Sequence, residues 1–324
     1  MKALVCKEFG PAENLKVEEI NDPILSSEEV CIKVHAAGVN FPDILMVEGK
    51  YQVKPAFPFS PGAEAAGEIV AIGQNVKNYK VGQRVIAMTG HGAFAELVKT
   101  VQKKLIPLND KVDYETASIL PMVYGTSAHA LIQRGKLQKG ETLLVHGAAG
   151  GVGLAAVEIG KAMGARVIAT ASTDEKCQVA REHGADETIN YSNGEFKDIV
   201  KSMTDGKGAD VIYDPVGGDV FDQSLRCIAW EGRLLVIGFT SGRIPSAPAN
   251  LALLKSCAIV GVFWGAFVER TPQLNLENFD KLYEWIEAGY IKPRISMKVP
   301  LEKTLDAMKA IANREIIGKA IVKI

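Results

Sequence analysis

No apolar run in this chain approaches the roughly 18 residues that a membrane-spanning helix requires, so no segment reads as crossing a bilayer. A basic leader followed by an apolar stretch is also missing. Met1-Lys2-Ala3-Leu4-Val5 reads instead as a first strand, and the expected location is cytoplasmic. Charge of one sign is not in excess: 37 Lys and Arg against 38 Asp and Glu leave a formal net charge of -1, with no electrostatic reason to expect nucleic acid. Cysteine is scarce and scattered. Cys6, Cys31, Cys177, Cys227 and Cys257 are odd in number and never spaced C-x-x-C, which excludes a zinc ribbon or disulfide framework and leaves reduced, mostly buried thiols. The 5 histidines form no H-x-x-x-H or H-x-x-E-H pair, so they give no helix-borne metal site. What is present suits a soluble enzyme: 47% hydrophobic and 23% charged residues, over 324 residues that exceed one ordinary core and predict two domains.

Up to about residue 120 the chain reads as short strands broken by turns, a β-rich, barrel-like pattern. Val30–Val34 alternates with period two, and Glu68–Ile72, Arg84–Ala87 and Phe94–Val98 follow, separated by glycine-bearing turns such as Val81-Gly82-Gln83. From about 124 strands alternate with helices. Candidate strands at 142–146, 166–171, 187–190, 209–214, 232–237 and 258–262 are what a doubly wound parallel sheet requires. After Gly265 the text returns to helix and loop, with a helix predicted over Asn275–Ala288 and a closing strand over Lys319–Ile324. The expected division is therefore 1–123 with 266–324 as one discontinuous domain and 124–265 as the other.

The most informative run is Val145-His146-Gly147-Ala148-Ala149-Gly150-Gly151-Val152-Gly153. It follows a strand and opens a helix over Leu154–Met163, and a helix start presents unpaired N–H groups and a positive dipole end that can hold a phosphate. Glycines at 147, 150 and 153 fit G-x-x-G-x-x-G in the strand–turn–helix context of a dinucleotide site. Gly150 and Gly151 would let the backbone approach a pyrophosphate, and Gly153 would let the helix pack on the strand.

The next strand ends at Ala171, where an NAD-binding chain usually places an acid for the ribose hydroxyls; Ser172-Thr173-Asp174-Glu175-Lys176 follows. A hydroxyl and an ammonium without that carboxylate suit a 2′-phosphate, so NADPH is expected over NADH. Ser172 to Asp174 also read as a helix N-cap, and Asp174 or Glu175 could still reach a ribose hydroxyl.

Several further motifs stand in order: Ala37-Gly38-Val39-Asn40-Phe41-Pro42-Asp43, Pro61-Gly62-Ala63-Glu64-Ala65-Ala66-Gly67, Val81-Gly82-Gln83-Arg84-Val85, Asp214-Pro215-Val216-Gly217-Gly218 and Val236-Ile237-Gly238-Phe239. With them the whole chain resembles the medium-chain dehydrogenase/reductases, specifically the zinc-free quinone oxidoreductase (ζ-crystallin-like) branch. The resemblance implies an α/β fold, a GroES-like β-rich catalytic domain plus a Rossmann domain with a doubly wound parallel sheet. Zinc-dependent members carry Cys and His where this chain has Asn40 and Ala63, and an amide and a methyl cannot replace a thiolate and an imidazole. The lobe with four structural cysteines is missing as well, since Met88–Phe94 passes directly to the next strand.

By the same resemblance, Asn40 and Thr126 lie near the nicotinamide, and Gly150, Gly151 and Val152 contact the pyrophosphate. Ser172, Lys176, Tyr191 and Arg314 surround the 2′-phosphate, and Gly238, Phe239 and Phe263 complete the cofactor contacts. Each has a plainer reading: Thr126 a helix cap, Tyr191 a half-buried ring, Arg314 a solvated helix-end charge.

Without a metal, the substrate must already be electrophilic, as a quinone or an α,β-unsaturated carbonyl is. The protein then supplies position, desolvation and hydrogen bonds. Asn40, Tyr51 and Tyr124 are the candidate catalytic residues, the two phenols as proton donors or as packing. Gly261-Val262-Phe263-Trp264-Gly265 should return to the active-site cleft, its rings walling a flat substrate or packing an interface. The family pairs its sixth Rossmann strand across a homodimer, so Ser256–Val262 is the expected interface. The alternatives are an enoyl-thioester or alkenal reductase, or a non-catalytic NADPH-binding structural or RNA-binding protein, the last without support from the charge balance.

Overall fold

The computed structural model describes the backbone of residues 1–324 and every side chain except that of Asn193. In chain order the strands are β1 (Lys2–Val5), β2 (Lys16–Glu19), β3 (Glu29–Val39), β4 (Glu64–Ile72), β5 (Arg84–Met88), β6 (Leu97–Val101), β7 (Leu105–Pro107), β8 (Thr142–Val145), β9 (Arg166–Ala171), β10 (Glu187–Asn190), β11 (Ala209–Asp214), β12 (Ile228–Val236), β13 (Ala258–Gly261), β14 (Ile295–Pro300) and β15 (Lys319–Lys323). They fall into two units, Met1–Met122 with Pro293–Ile324, and Val123–Lys292. Among the described residues no helix is long and apolar enough to cross a membrane.

In the first unit one sheet runs β14-β15-β3-β4-β5-β7, with β6 also on β3, and β1 and β2 form a separate ribbon. Its core gathers Ile32, Val39, Ile69, Val85, Phe94 and Met308. Strand register decides which polar residues meet inside it. Ala320 of β15 lies opposite Val39 of β3, and Ala37 of β3 lies opposite Ala65 of β4. The starts of β15 and β4 therefore meet the end of β3, and three polar residues, Lys319, Glu64 and Asn40, come together there.

The second unit is a parallel sheet in the order β10-β9-β8-β11-β12-β13. β8 and β11 are buried along their whole length, as strands covered by helices on both faces must be. Chain order reverses between β8 and β11, and the crevice outside the carboxyl ends at such a switch point is where this architecture binds ligands.

The structure corrects several expectations. The strand expected at 94–98 is β6, three residues later, because Phe94 and Ala95 both turn into the core and bridge back to β1. β12 begins at Ile228 rather than 232, passing through a bulge at Glu231, whose φ is 57°. The stretch between the predicted helix and the closing strand, for which no strand or further helix is named, holds β14 and the helix Thr304–Ala312. Residues 266–292, expected in the first domain, belong to the second unit. Asn278 exchanges hydrogen bonds with Gln133 at 2.8 and 3.1 Å, and Phe267 stacks on His129 at 3.9 Å. The helix Pro272–Glu287 carries no sequence mark saying which domain its buried face meets.

Candidate functional site

The glycine-rich turn after β8 is built by close backbone approach. Gly147 has φ 57°, and the Gly150 N–H donates to its carbonyl at 3.0 Å. The helix Gly151–Ala162 begins on Gly150, which has no side chain to cap it, and no acid lies in its first turn. Its leading N–H groups are thus left for an anion. A Cβ on Gly153 would lie 2.2 Å from the Gly147 oxygen, so only glycine seats the helix here. On Gly150 the nearest atom would be 3.4 Å away, which leaves room for a ligand to approach. These residues fit a pyrophosphate.

Parallel pairing brings the other Rossmann-unit candidates to the same edge of the sheet. Ser172 follows β9, Tyr191 follows β10, Gly238 and Phe239 follow β12, and Phe263 follows β13. Thr173 is the N-cap of the helix Asp174–Glu182 and accepts from the Lys176 N–H at 3.2 Å. The Asp174 carboxylate is taken by the Asn190 amide at 2.8 Å, so the carboxylate nearest in sequence to the end of β9 is tied to β10. Tyr191 is half-buried against the unit's core, Thr126 is half-buried in the second unit, and Phe263 is exposed. Arg314 sits just beyond the helix Thr304–Ala312 in the first unit.

Two buried side chains brace the switch point. Asp214 ends β11 and accepts from the N–H groups of Val216 and Gly217 at 2.8 and 2.9 Å, while burial pushes its carboxyl up. His146 sits between Thr170 Oγ1 at 2.9 Å and Ser224 Oγ at 2.8 Å. Because Ser224 donates to the Val220 carbonyl at 2.7 Å, the imidazole is neutral with its proton on Nε2. Burial lowers it from 6.5 to about 3. The unfolded chain therefore binds the proton first, and this contribution to stability, full above about 6.5, is lost as pH falls toward about 3. Compared with His146→Gln, the parent should lose an extra ~1.4 kcal/mol per pH unit below the unfolded value. Denaturant titrations of both proteins across that range would show it, and parallel pH profiles would refute it.

In the first unit Asn40, Asp43, Glu64 and Lys319 form a buried polar cluster. Lys319 Nζ donates to the Val39 carbonyl at 3.0 Å, Asn40 Oδ1 at 2.5 Å and Glu64 Oε1 at 3.2 Å. Asn40 Nδ2 donates to Glu64 Oε1 at 2.8 Å, and Glu64 Oε2 accepts from the Met122 N–H at 2.8 Å. Asp43 Oδ2 accepts from the Asn40 N–H at 2.8 Å while Oδ1 has no partner, and burial raises this carboxyl to about 7. Half-buried Tyr51 is held above its usual range by burial and then by the charge of Asp43. Sequence reading found Asn40 but not its partners. Asp43 and Glu64 stood unremarked in quoted motifs, and Lys319 lies 279 positions away with no local signal.

Tyr124 is not placed as a free proton donor. It is fully buried, and its hydroxyl donates to Glu158 Oε2 at 2.7 Å. Burial and that carboxylate push the phenol well up. Glu158 also meets His183 Nδ1 at 2.6 Å and the Lys292 N–H at 3.1 Å, so it clamps four parts of the second unit.

Comparison with known proteins gives a consistent picture. A family model described as zinc-binding dehydrogenase matches residues 151–281, and one described as alcohol dehydrogenase GroES-like domain matches residues 26–110. The chain is 42% identical to a quinone oxidoreductase-like protein 2 homolog of Nematostella vectensis, over 99% of this chain and 88% of that one. It is 36% identical to a quinone oxidoreductase of Pseudomonas aeruginosa, over 97% of each. Its fold matches the crystal structure of Escherichia coli quinone oxidoreductase complexed with NADPH at a TM-score of 0.92, with 28% identity and all of both chains covered.

Proposed function

Because the chain belongs to the quinone oxidoreductase branch of the medium-chain dehydrogenase/reductase superfamily, we propose that this oxidoreductase reduces quinones or α,β-unsaturated carbonyl compounds with NADPH and without zinc. The observation that carries the cofactor choice is the end of β9. Ala171 and Ser172 stand where a ribose-binding acid would, Lys176 is close by in sequence, and Asp174 is occupied by Asn190. The E. coli relative solved with NADPH supports the same choice.

Zinc does not fit the cluster in the first unit. Asn40 and Ala63 offer no thiolate or imidazole, and the cation beside Asn40 is already the Lys319 ammonium, which would repel a metal ion. Among the described residues no group of three His, Cys, Asp or Glu side chains could hold a metal.

When bound, NADPH supplies the hydride. The protein's part is to hold the nicotinamide, with Asn40 as our candidate in the first unit, to keep water out, and to provide the one proton that completes reduction of a quinone or enone. Of the two candidate phenols, Tyr51 is the one we assign to give it, because the Tyr124 hydroxyl is already committed to Glu158 at 2.7 Å. Tyr51→Phe should lower kcat by ~100-fold or more. Tyr124→Phe should change kcat by less than ~3-fold while costing roughly 1–3 kcal/mol of stability, because Glu158 loses a buried donor. Turnover and urea denaturation of both variants separate the two roles, and the opposite ranking would reverse the assignment.

The experiment that decides the function is oxidation of NADPH, followed by absorbance, with quinones, enones and enoyl thioesters side by side. NADPH binding with no turnover of any acceptor would end the reductase reading. We also read β13 as a homodimer edge around Ser256–Val262. It is the outer strand of its sheet, and Ile259, Leu253, Leu254 and Trp230 on or near it are exposed.

A further inference from the structure

Resting on the reading of Asn40 as a residue beside the nicotinamide, we propose that Lys319 and Glu64 are positioning residues. Together they lock the Asn40 carboxamide in one orientation and make it a hydrogen-bond acceptor toward its ligand. The lock follows from saturation. All three ammonium protons of Lys319 are engaged, by the Val39 carbonyl at 3.0 Å, Asn40 Oδ1 at 2.5 Å and Glu64 Oε1 at 3.2 Å. The two protons of Asn40 Nδ2 go to Glu64 Oε1 at 2.8 Å and the Gly38 carbonyl at 3.4 Å. A flipped amide would set NH2 against an ammonium and oxygen against a carboxylate, losing two charge-assisted bonds and gaining two repulsions. Burial of Lys319 and Glu64 leaves little water to relieve either.

With both N–H groups and one oxygen lone pair committed, the second lone pair of Oδ1 is what Asn40 has left to offer. That suits an N–H donor such as the carboxamide of the nicotinamide, and it excludes Asn40 as a donor to the substrate oxygen. Asp43 takes no bond from the carboxamide: its Oδ2 is bound to the Asn40 backbone N–H, its Oδ1 has no partner, and its own N–H donates to the Asn40 backbone carbonyl at 3.1 Å. The ammonium must come from β15, which joins β3 only through the tertiary fold.

The test replaces both charges by apolar side chains of similar length, Lys319→Met/Glu64→Met, because removing one partner alone would strand a buried charge and risk the fold. In protein labelled with 15N-asparagine, the Asn40 side-chain amide protons should exchange at least ~10-fold faster in the double variant than in the parent. With the best acceptor, the double variant should lose at least ~20-fold in kcat/KM in the parent background. The same change should cost less than ~2-fold in an Asn40→Ala background, since residues acting through Asn40 have nothing left to position. Unchanged exchange, or losses that simply add, would overturn the proposal. A parent protein inactive with every acceptor would instead remove the reductase reading, and amide exchange would still decide the orientation.

Discussion

Gly153→Ala is expected to destabilise the second unit by roughly 3 kcal/mol or more and to weaken NADPH binding by at least ~100-fold. A Cβ there meets only backbone: the Gly147 oxygen at 2.2 Å, the Gly147 carbonyl carbon at 2.8 Å and Ala148 Cα at 2.9 Å. No flexible side chain can yield. The turn cannot easily give way either, since the Gly150 N–H binds the Gly147 carbonyl at 3.0 Å and the Ala148 N–H binds Thr170 of β9 at 3.1 Å. Relief must come from the helix Gly151–Ala162 moving outward, and that carries away the N–H groups assigned to the pyrophosphate. Gly150→Ala makes the informative contrast. Its φ of -79° suits any residue and its new contact is an ordinary 3.4 Å, so stability should hold within ~1 kcal/mol while the methyl obstructs the phosphate. Urea denaturation and NADPH titration by fluorescence on both variants would show the split. A Gly153→Ala protein as stable as the parent would refute the packing argument.

The same contrast explains what the sequence could reveal. The parallel sheet was legible strand by strand because β8, β9 and β11 are short buried runs bounded by turn residues, and local chemistry announces such runs. The glycine turn was legible because its constraint lies within seven consecutive residues, from 147 to 153. Phe94 and Ala95 looked like strand because they are apolar, yet both point inward where the chain bridges to β1, a pairing set by residues some ninety positions earlier. Of the four residues in the cluster around Asn40, only Asn40 itself was legible. Glu64 and Lys319 acquire meaning from the register of β3 with β4 and β15, and a lysine near a terminus otherwise reads as a solvated charge. Tyr124 misled for the opposite reason. Its partner Glu158 lies on the buried face of a helix, where sequence shows an acid but not its burial.

Cofactor preference should turn on the end of β9. Lys176→Ala is expected to weaken NADPH binding by ~10- to 100-fold, the worth of a charged contact to phosphate, while NADH changes by less than ~3-fold. Ser172→Asp should go further and invert the preference, because a carboxylate after β9 repels a 2′-phosphate and can accept from the ribose hydroxyls in its place. The backbone is prepared for that substitution. The Ser172 carbonyl is held by Ser192 Oγ at 2.8 Å and Thr173 caps the next helix through the Lys176 N–H. The new acid therefore enters a loop already fixed, with Asp174 kept aside by Asn190. Titrating both cofactors into parent, Lys176→Ala and Ser172→Asp measures the two effects separately, and equal losses for NADPH and NADH would contradict the phosphate assignment. Raising the salt concentration should shrink the parent's preference for NADPH and leave the Ser172→Asp affinity for NADH nearly constant, since only the former rests on attraction between Lys176 and a 2′-phosphate.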